Sequence, residues 1–284
     1  MEQILSIQSA VTIGFVGNNV AGPVITHLGH KPLLVNTVAL AAHPGHGLIA
    51  GGPMPDTTFN AILSALPSLC RLKSIGTVIT GYLGALKQVN AISRLIKAWQ
   101  LDQTRGFYIL DPVLGDNGRI YVDDKLVDAM RENLLPLADF ITPNQFELEL
   151  LSGQRVRDVL GADEAARCLL EQFPNLKGAL VTGINHTDNS IHDRFISHTD
   201  LVDMAFKKRA SGIAGGGDLL TTIFASWLAS GHSFQNSFKS ASEQAHAIID
   251  RSNNDLEIRL LENIGQLRPI PKVVKSLKQQ LRDS

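Results

Sequence analysis

The chain has 284 residues, 44% hydrophobic and 19% charged, enough to bury a full core, and 26 Lys+Arg against 27 Asp+Glu leave a formal net charge of -1. No basic excess draws it to nucleic acid or an anionic membrane surface, and no uninterrupted apolar run reaches the roughly 20 residues of a membrane span. The opening MEQILSIQSA lacks a basic stretch, so no signal peptide is expected, and Cys70 and Cys168 match no metal-ligand spacing; they read as reduced, buried thiols of a soluble, cytoplasmic protein.

Taken in chain order, ILSIQS reads as a buried strand, followed by a loop through AVTIGFVGNN and a helix over 21–28. PLLVNTV is a second strand, and AAHPGHGLIAGGPMP is a long Gly/Pro-rich loop ahead of a helix over 56–66 with Asp56 as its N-cap. The strand TVITGYLG, a helix over 88–99, the strand GFYILDPV and a helix over 124–134 come next. DFITPN ends a further strand, and NQFELELLSG is a helix closed by Gly153. A helix over 163–172, the strand ALVTGI and antiparallel strands around 194–202 precede helices over 219–228, 237–249 and 271–281. Strands alternating with helices predict an α/β fold of one domain over 1–284, a doubly wound, mostly parallel sheet flanked by helices.

Ligands collect where the strands of such sheets end. Ser9 after ILSIQ, Tyr82 after VITG, Asp111 after YIL, Asn144 after FITP and Thr182 after ALV place a polar residue at five such points. The absence of Gly-Lys-Ser/Thr excludes a Walker-type loop, and the glycines at Gly45 and Gly47 open no helix before Pro53 and Pro55. His43 and His46 form a spaced pair with no third ligand nearby, which suits a polar loop better than a metal site. Gly215, Gly216 and Gly217 stand directly before Asp218 and an amphipathic helix. Consecutive N–H groups in glycine conformations make an anion-binding nest, and the helix adds its positive end. Capping would explain Asp218 but not three glycines, which are costly to order. An anion pocket edged by a carboxylate suits phosphoryl transfer to a hydroxyl, with the acid as base.

Six stretches in this order resemble the pyridoxal kinases of the ribokinase-like superfamily: ILSIQSAVTIGFVGN, NTVALAAHPGHG, TGYLG, DPVLGDNGRIYV, ITPNQFELELLSG and GGGDLL. The resemblance implies ATP-dependent phosphorylation of the 5′-hydroxymethyl group of a vitamin B6 vitamer, with Mg²⁺ and a monovalent cation such as K⁺, by a homodimer. It implies Asp218 as base, Gly215, Gly216 and Gly217 as anion hole, and Ser9 and Tyr82 at the pyridine ring, with His43, Pro44 and Gly45 in a lid. Asn144 and Glu147 match its Asn-x-x-Glu, Asp111 and Asp116 fall near the metal and phosphates, Thr142 near the monovalent ion or nucleotide, and Thr182 near the nucleotide. Those acids suit Mg²⁺, which takes a few carboxylates with phosphate oxygens and water. Two positions depart from the family: Pro44 replaces a threonine, and Gly216 a threonine or alanine, which should loosen the loop. A hydroxymethylpyrimidine kinase of the same superfamily, or a weakly catalytic pyridoxal phosphate carrier or sensor, are the alternatives.

Overall fold

In the computed structural model, residues 2–70, 72–102, 106–187, 189–208, 213–252 and 255–273 are described. The strands are β1 (Gln3–Ile13), β2 (Lys31–Ala42), β3 (Gly51–Pro53), β4 (Ile75–Thr80), β5 (Phe107–Leu110), β6 (Gly115–Asp116), β7 (Arg119–Ile120), β8 (Phe140–Ile141), β9 (Gly178–Thr187), β10 (Ser190–Ile196) and β11 (Leu201–Lys207). The helices are α1 (Asn18–His27), α2 (Asp56–Leu69), α3 (Leu86–Asp102), α4 (Asp124–Asn133), α5 (Gln145–Ser152), α6 (Val159–Gln172), α7 (Gly216–Ala229), α8 (Phe234–Arg251) and the short α9 (Leu260–Asn263).

Nine strands form one sheet in the order β11-β10-β9-β8-β5-β4-β1-β2-β3. The run from β9 to β2 is parallel, and the pairs β2–β3, β9–β10 and β10–β11 are antiparallel. Successive side chains point to opposite faces, so each inner strand feeds two cores. Leu5 and Ile7 of β1 and Val78 of β4 face a core closed by Phe59, Ile92, Trp99, Met130 and Leu169 from α2, α3, α4 and α6. Ile4 and Ile79 face the other, closed by Val24, Phe224 and Phe238 from α1, α7 and α8. The α/β, mostly parallel architecture agrees with the sequence.

Several boundaries differ. β1 runs on through Ile13, so AVTI is strand rather than loop, and α1 begins at Asn18. The loop after β2 contains a three-residue turn of helix, Pro44–His46, and the edge strand β3. Pro55, not Asp56, stands at the N-cap of α2; Asp56 lies in the first turn and pairs with Lys87 Nζ at 2.8 Å. Cys70 and Cys168 are free and half-buried rather than core residues. The helix expected over 271–281 is not present at residues 271–273, and 274–281 lie outside the described residues. Among the described residues no helix is long and apolar enough to cross a membrane.

Candidate active site

A cavity of about 700 Å³ opens beyond the carboxyl ends of the parallel strands, where the side chains of several crossovers converge. Its walls include Ser9, His43, Gly45, Tyr82, Asp111, Asp116, Thr142, Asn144, Glu147, Thr182, Gly215, Gly217 and Asp218. Of the residues expected there, Pro44 and Gly216 are not among them.

The three glycines have three different physical reasons. Gly215 is the N-cap of α7 at φ 86, and a Cβ there would stand 2.1 Å from the carbonyl oxygen of Phe15. No other residue fits. Gly216 already lies in the helix and faces α8, where a Cβ would meet Ile249 Cδ1 at 2.9 Å. Close packing, not a looser loop, accounts for it. Gly217 meets nothing within 4 Å and lines the cavity, leaving room beside the unsatisfied N–H groups of the first turn.

Asp218 is the third residue of α7, and no side chain caps this helix. Its carboxylate lies beside the backbone N–H of Gly17, at the end of the loop that follows β1. Burial lifts the Asp218 carboxyl above its ordinary range, with the Gly17 N–H opposing the shift. Asp111 is 4% exposed and is pushed up to about 8, by burial first and then by the charge of Asp218. Thr221, one turn along α7 from Asp218, opposes this by donating to Asp111 Oδ2 at 3.1 Å; its hydroxyl also lies 2.9 Å from Thr142 Oγ1. Burial and the nearby Asp111 charge raise Glu147 well above its usual range.

Glu147 forms a capping box with Asn144, the N-cap of α5. Its carboxylate accepts the N–H groups of Asn144, Leu114 and Gly115 at 2.9, 3.0 and 3.4 Å, fixing the chain after β5 beside the cavity. Asp116 accepts both the backbone N–H and the side-chain amide of Asn117. Asn117 and Gly118, both at positive φ, make the two-residue turn joining β6 to β7. Among the described residues no group of three His, Cys, Asp or Glu side chains is disposed to hold a metal ion. Asp111, Asp116 and Glu147, expected around Mg²⁺, all line the cavity, and Glu147 and Asp116 also accept backbone N–H groups.

Beside Gly17, Ser9 sits where the pairing of β1 with β2 shifts register between Gln8 and Ala10. Such irregularities redirect a side chain within a continuing strand. Gly17, at φ 53, leaves space for Ser9: a Cβ there would lie 2.4 Å from its hydroxyl. Tyr82 is held through its carbonyl by Thr37 Oγ1 at 2.6 Å. His43 Nδ1 accepts the N–H of Gly45 at 3.1 Å, and burial lowers the ring below its ordinary pKa, so the neutral imidazole carries its proton on Nε2. Thr182 lies inside β9, bridged to Asn144.

The phosphomethylpyrimidine kinase family model matches residues 27–260. A pyridoxal kinase of Rubrobacter xylanophilus is 30% identical over 88% of this chain and 87% of its own. The crystal structure of pyridoxal kinase from Entamoeba histolytica superposes with a TM-score of 0.88 at 28% identity, covering 94% of this chain and 95% of that one. Pyridoxal kinase from Leishmania donovani, in complex with ADP and pyridoxamine, gives 0.88 at 25% identity over 96% and 98%. The chain belongs to the pyridoxal kinase family. Within that family frame, sequence reading passed over Gly17, Thr221 and Glu257, which accepts the N–H of Phe15 at the cavity mouth. The helical spacing of Thr221 from Asp218 is a signal that could have found it; Gly17 and Glu257 depend on loops that only the fold brings together.

Proposed function

We propose that this enzyme transfers the γ-phosphoryl group of ATP to the 5′-hydroxymethyl group of a vitamin B6 vitamer, pyridoxal, pyridoxine or pyridoxamine. The observation that carries the reading is Asp218: a carboxylate of raised pKa at the mouth of α7, beside the free N–H groups of Gly217 and its neighbours, in a cavity shared with Ser9 and Tyr82. Asp218 accepts the hydroxyl proton as that oxygen attacks the γ-phosphorus and ADP leaves. The N–H groups at the start of α7 receive the negative charge of the transferring group, Ser9 and Tyr82 hold the ring, and Thr182 faces the nucleotide.

Asp111 would hold Mg²⁺, with phosphate oxygens and water completing its shell, and the ion would neutralise phosphate charge. Glu147 acts by field and by fixing Leu114 and Gly115, and Asp116 borders the phosphates. The Thr142 hydroxyl is assigned to the Thr221–Asp111 network, with K⁺ as an activator to be tested. A single kinase domain over 1–284, working as a cytoplasmic homodimer, completes the proposal, and sedimentation tests the dimer.

The test is turnover with ATP and each vitamer, with and without chelation of divalent cations. Vitamer 5′-phosphate forming only with a divalent ion is expected. Full turnover after exhaustive chelation removes the Mg²⁺ assignment; no product from any vitamer removes the reading. Because the matching family model is that of phosphomethylpyrimidine kinase, hydroxymethylpyrimidine is the second substrate to assay. Binding of pyridoxal phosphate without turnover would support a carrier or sensor.

A further inference from the structure

After α8 the chain returns to the mouth of the cavity. A parallel bridge between Ala214 and Glu257 registers it there, through Ala214 N–H to Leu256 at 3.0 Å and Ile258 N–H to Ala214 at 3.1 Å. The bridge lies one residue before Gly215. From it the Glu257 side chain, 10% exposed, reaches two other segments that adjoin the cavity. Oε2 accepts the N–H of Phe15 at 2.7 Å, and Oε1 lies 2.8 Å from Nε2 of His46. Gly14 makes the passage possible, since a Cβ at that position would stand 1.9 Å from the carboxylate. His46 is an exposed residue in the turn Pro44–His46, beside the wall residues His43 and Gly45. One shielded carboxylate thus binds a fixed backbone N–H on one side and a side chain of a surface turn on the other.

Resting on the phosphotransfer reading above, we propose that Glu257 is a positioning residue that clasps the vitamer end of the cavity. Through His46 it holds the turn Pro44–His46 across the opening, and through Phe15 it steadies the loop whose Gly17 N–H orients Asp218. The turn follows β2, whereas Thr182 lies in β9, five strands away in the sheet order and therefore about 24 Å at 4.8 Å per strand. The clasp is therefore far from the nucleotide contact at Thr182, and its effect on binding falls on the vitamer. It also keeps water from the phosphate when no vitamer is bound.

The experiment compares His46→Ala, His46→Gln, Glu257→Ala and the double alanine variant. His46→Ala is expected to raise KM for the vitamer about three- to tenfold, the loss of one hydrogen bond, with kcat and KM for ATP within about twofold. ATP hydrolysis without vitamer should rise. His46→Gln keeps an N–H donor for the carboxylate and should recover much of the loss. The double variant should match Glu257→Ala alone in KM and in melting temperature, because both substitutions remove the same contact. An unchanged vitamer KM in His46→Ala, an equal rise in KM for ATP, or additive shifts in the double variant would overturn the proposal. If Glu257→Ala does not fold, the two His46 variants decide it. The melting-temperature cycle needs no substrate, so a missing His46–Glu257 coupling sinks the clasp even if the wild-type chain phosphorylates no vitamer, an outcome that would sink the phosphotransfer reading instead.

Discussion

The two ends of the cavity are built on opposite principles. Around α7, Asp111, Glu147, Thr142 and Thr221 are all buried, and every carboxylate is held by a neighbour from another crossover. Around the turn Pro44–His46 the residues are exposed or half-buried, and the turn is tied down by His46 to Glu257 at 2.8 Å. The first end concentrates acidic groups in a largely buried place, which raises the carboxyl pKa values and prepares the site for a cation and for a proton. The second end costs little to open. Chemistry is placed where the fold cannot yield, and admission of substrate where it can.

Substitutions at the rigid end should therefore have the larger effects. Asp218→Asn keeps the shape and the helix start but cannot take the hydroxyl proton, so kcat should fall about 10²–10⁴-fold. ATP affinity and the melting curve should stay near wild type, because the N–H groups of α7 remain. A folded Asp218→Asn protein with wild-type kcat would remove the difference between the two ends.

The glycines sharpen the contrast within a single turn. Gly215→Ala forces a Cβ into the Phe15 carbonyl at positive φ and should destabilise the fold by about 1–3 kcal/mol. Gly217→Ala meets open space on a helix and should leave stability equal or higher by about 0.5–1 kcal/mol. Its kcat should nevertheless drop about ten- to hundredfold, because the added methyl displaces the phosphate. Thermal melts beside kinetics separate the two, and a fully active Gly217→Ala protein would move the phosphate elsewhere.

The buried acids also predict a pH dependence. The folded state lifts Asp111 from the ordinary range near 4 to about 8, so the folded form binds its proton more tightly than the unfolded chain does. The stability this group contributes is fully present below about pH 4 and is lost as pH rises through about 8. The ligand-free protein should melt at a lower temperature near pH 8 than near pH 6, and Mg²⁺ with ATP should restore more at the higher pH. Asp111→Asn should flatten the dependence; an equally steep profile would place its origin in other groups.

The smallest change is expected at the pliant end. Pro44 is not on the cavity wall, so Pro44→Thr should alter the ratios of kcat/KM among the three vitamers by no more than about twofold. A larger, vitamer-specific change would mean that the turn moves inward when substrate binds.

Much of the buried framework was readable from local signals. The alternation of apolar strands with helices, the glycine closing α5 and the acid after the glycine run all follow from short-range rules. Asn144 and Glu147 carry the spacing of a capping box, and in the folded chain the Glu147 carboxylate accepts three N–H groups. What was not readable depends on distant partners. Ser9 stands inside a strand because of how β1 pairs with β2. Thr221 meets Asp111 across 110 positions, and the reason for Gly216 is a side chain on α8. Periodicity reports which face is buried, not which residue from another crossover waits there.

The bond between Phe15 and Glu257 spans 242 positions of chain. At a synthesis rate of about 5–20 residues per second, roughly 12–48 s separate the emergence of its two ends from the ribosome. A nascent chain can therefore assemble β1, β2 and their helices long before the carboxylate arrives, and for that interval the mouth of the site has no Glu257 to join its walls. The walls at the mouth can be joined only after residue 257 has followed them out of the ribosome, so closing this site is a late step relative to the folding of β1 and β2.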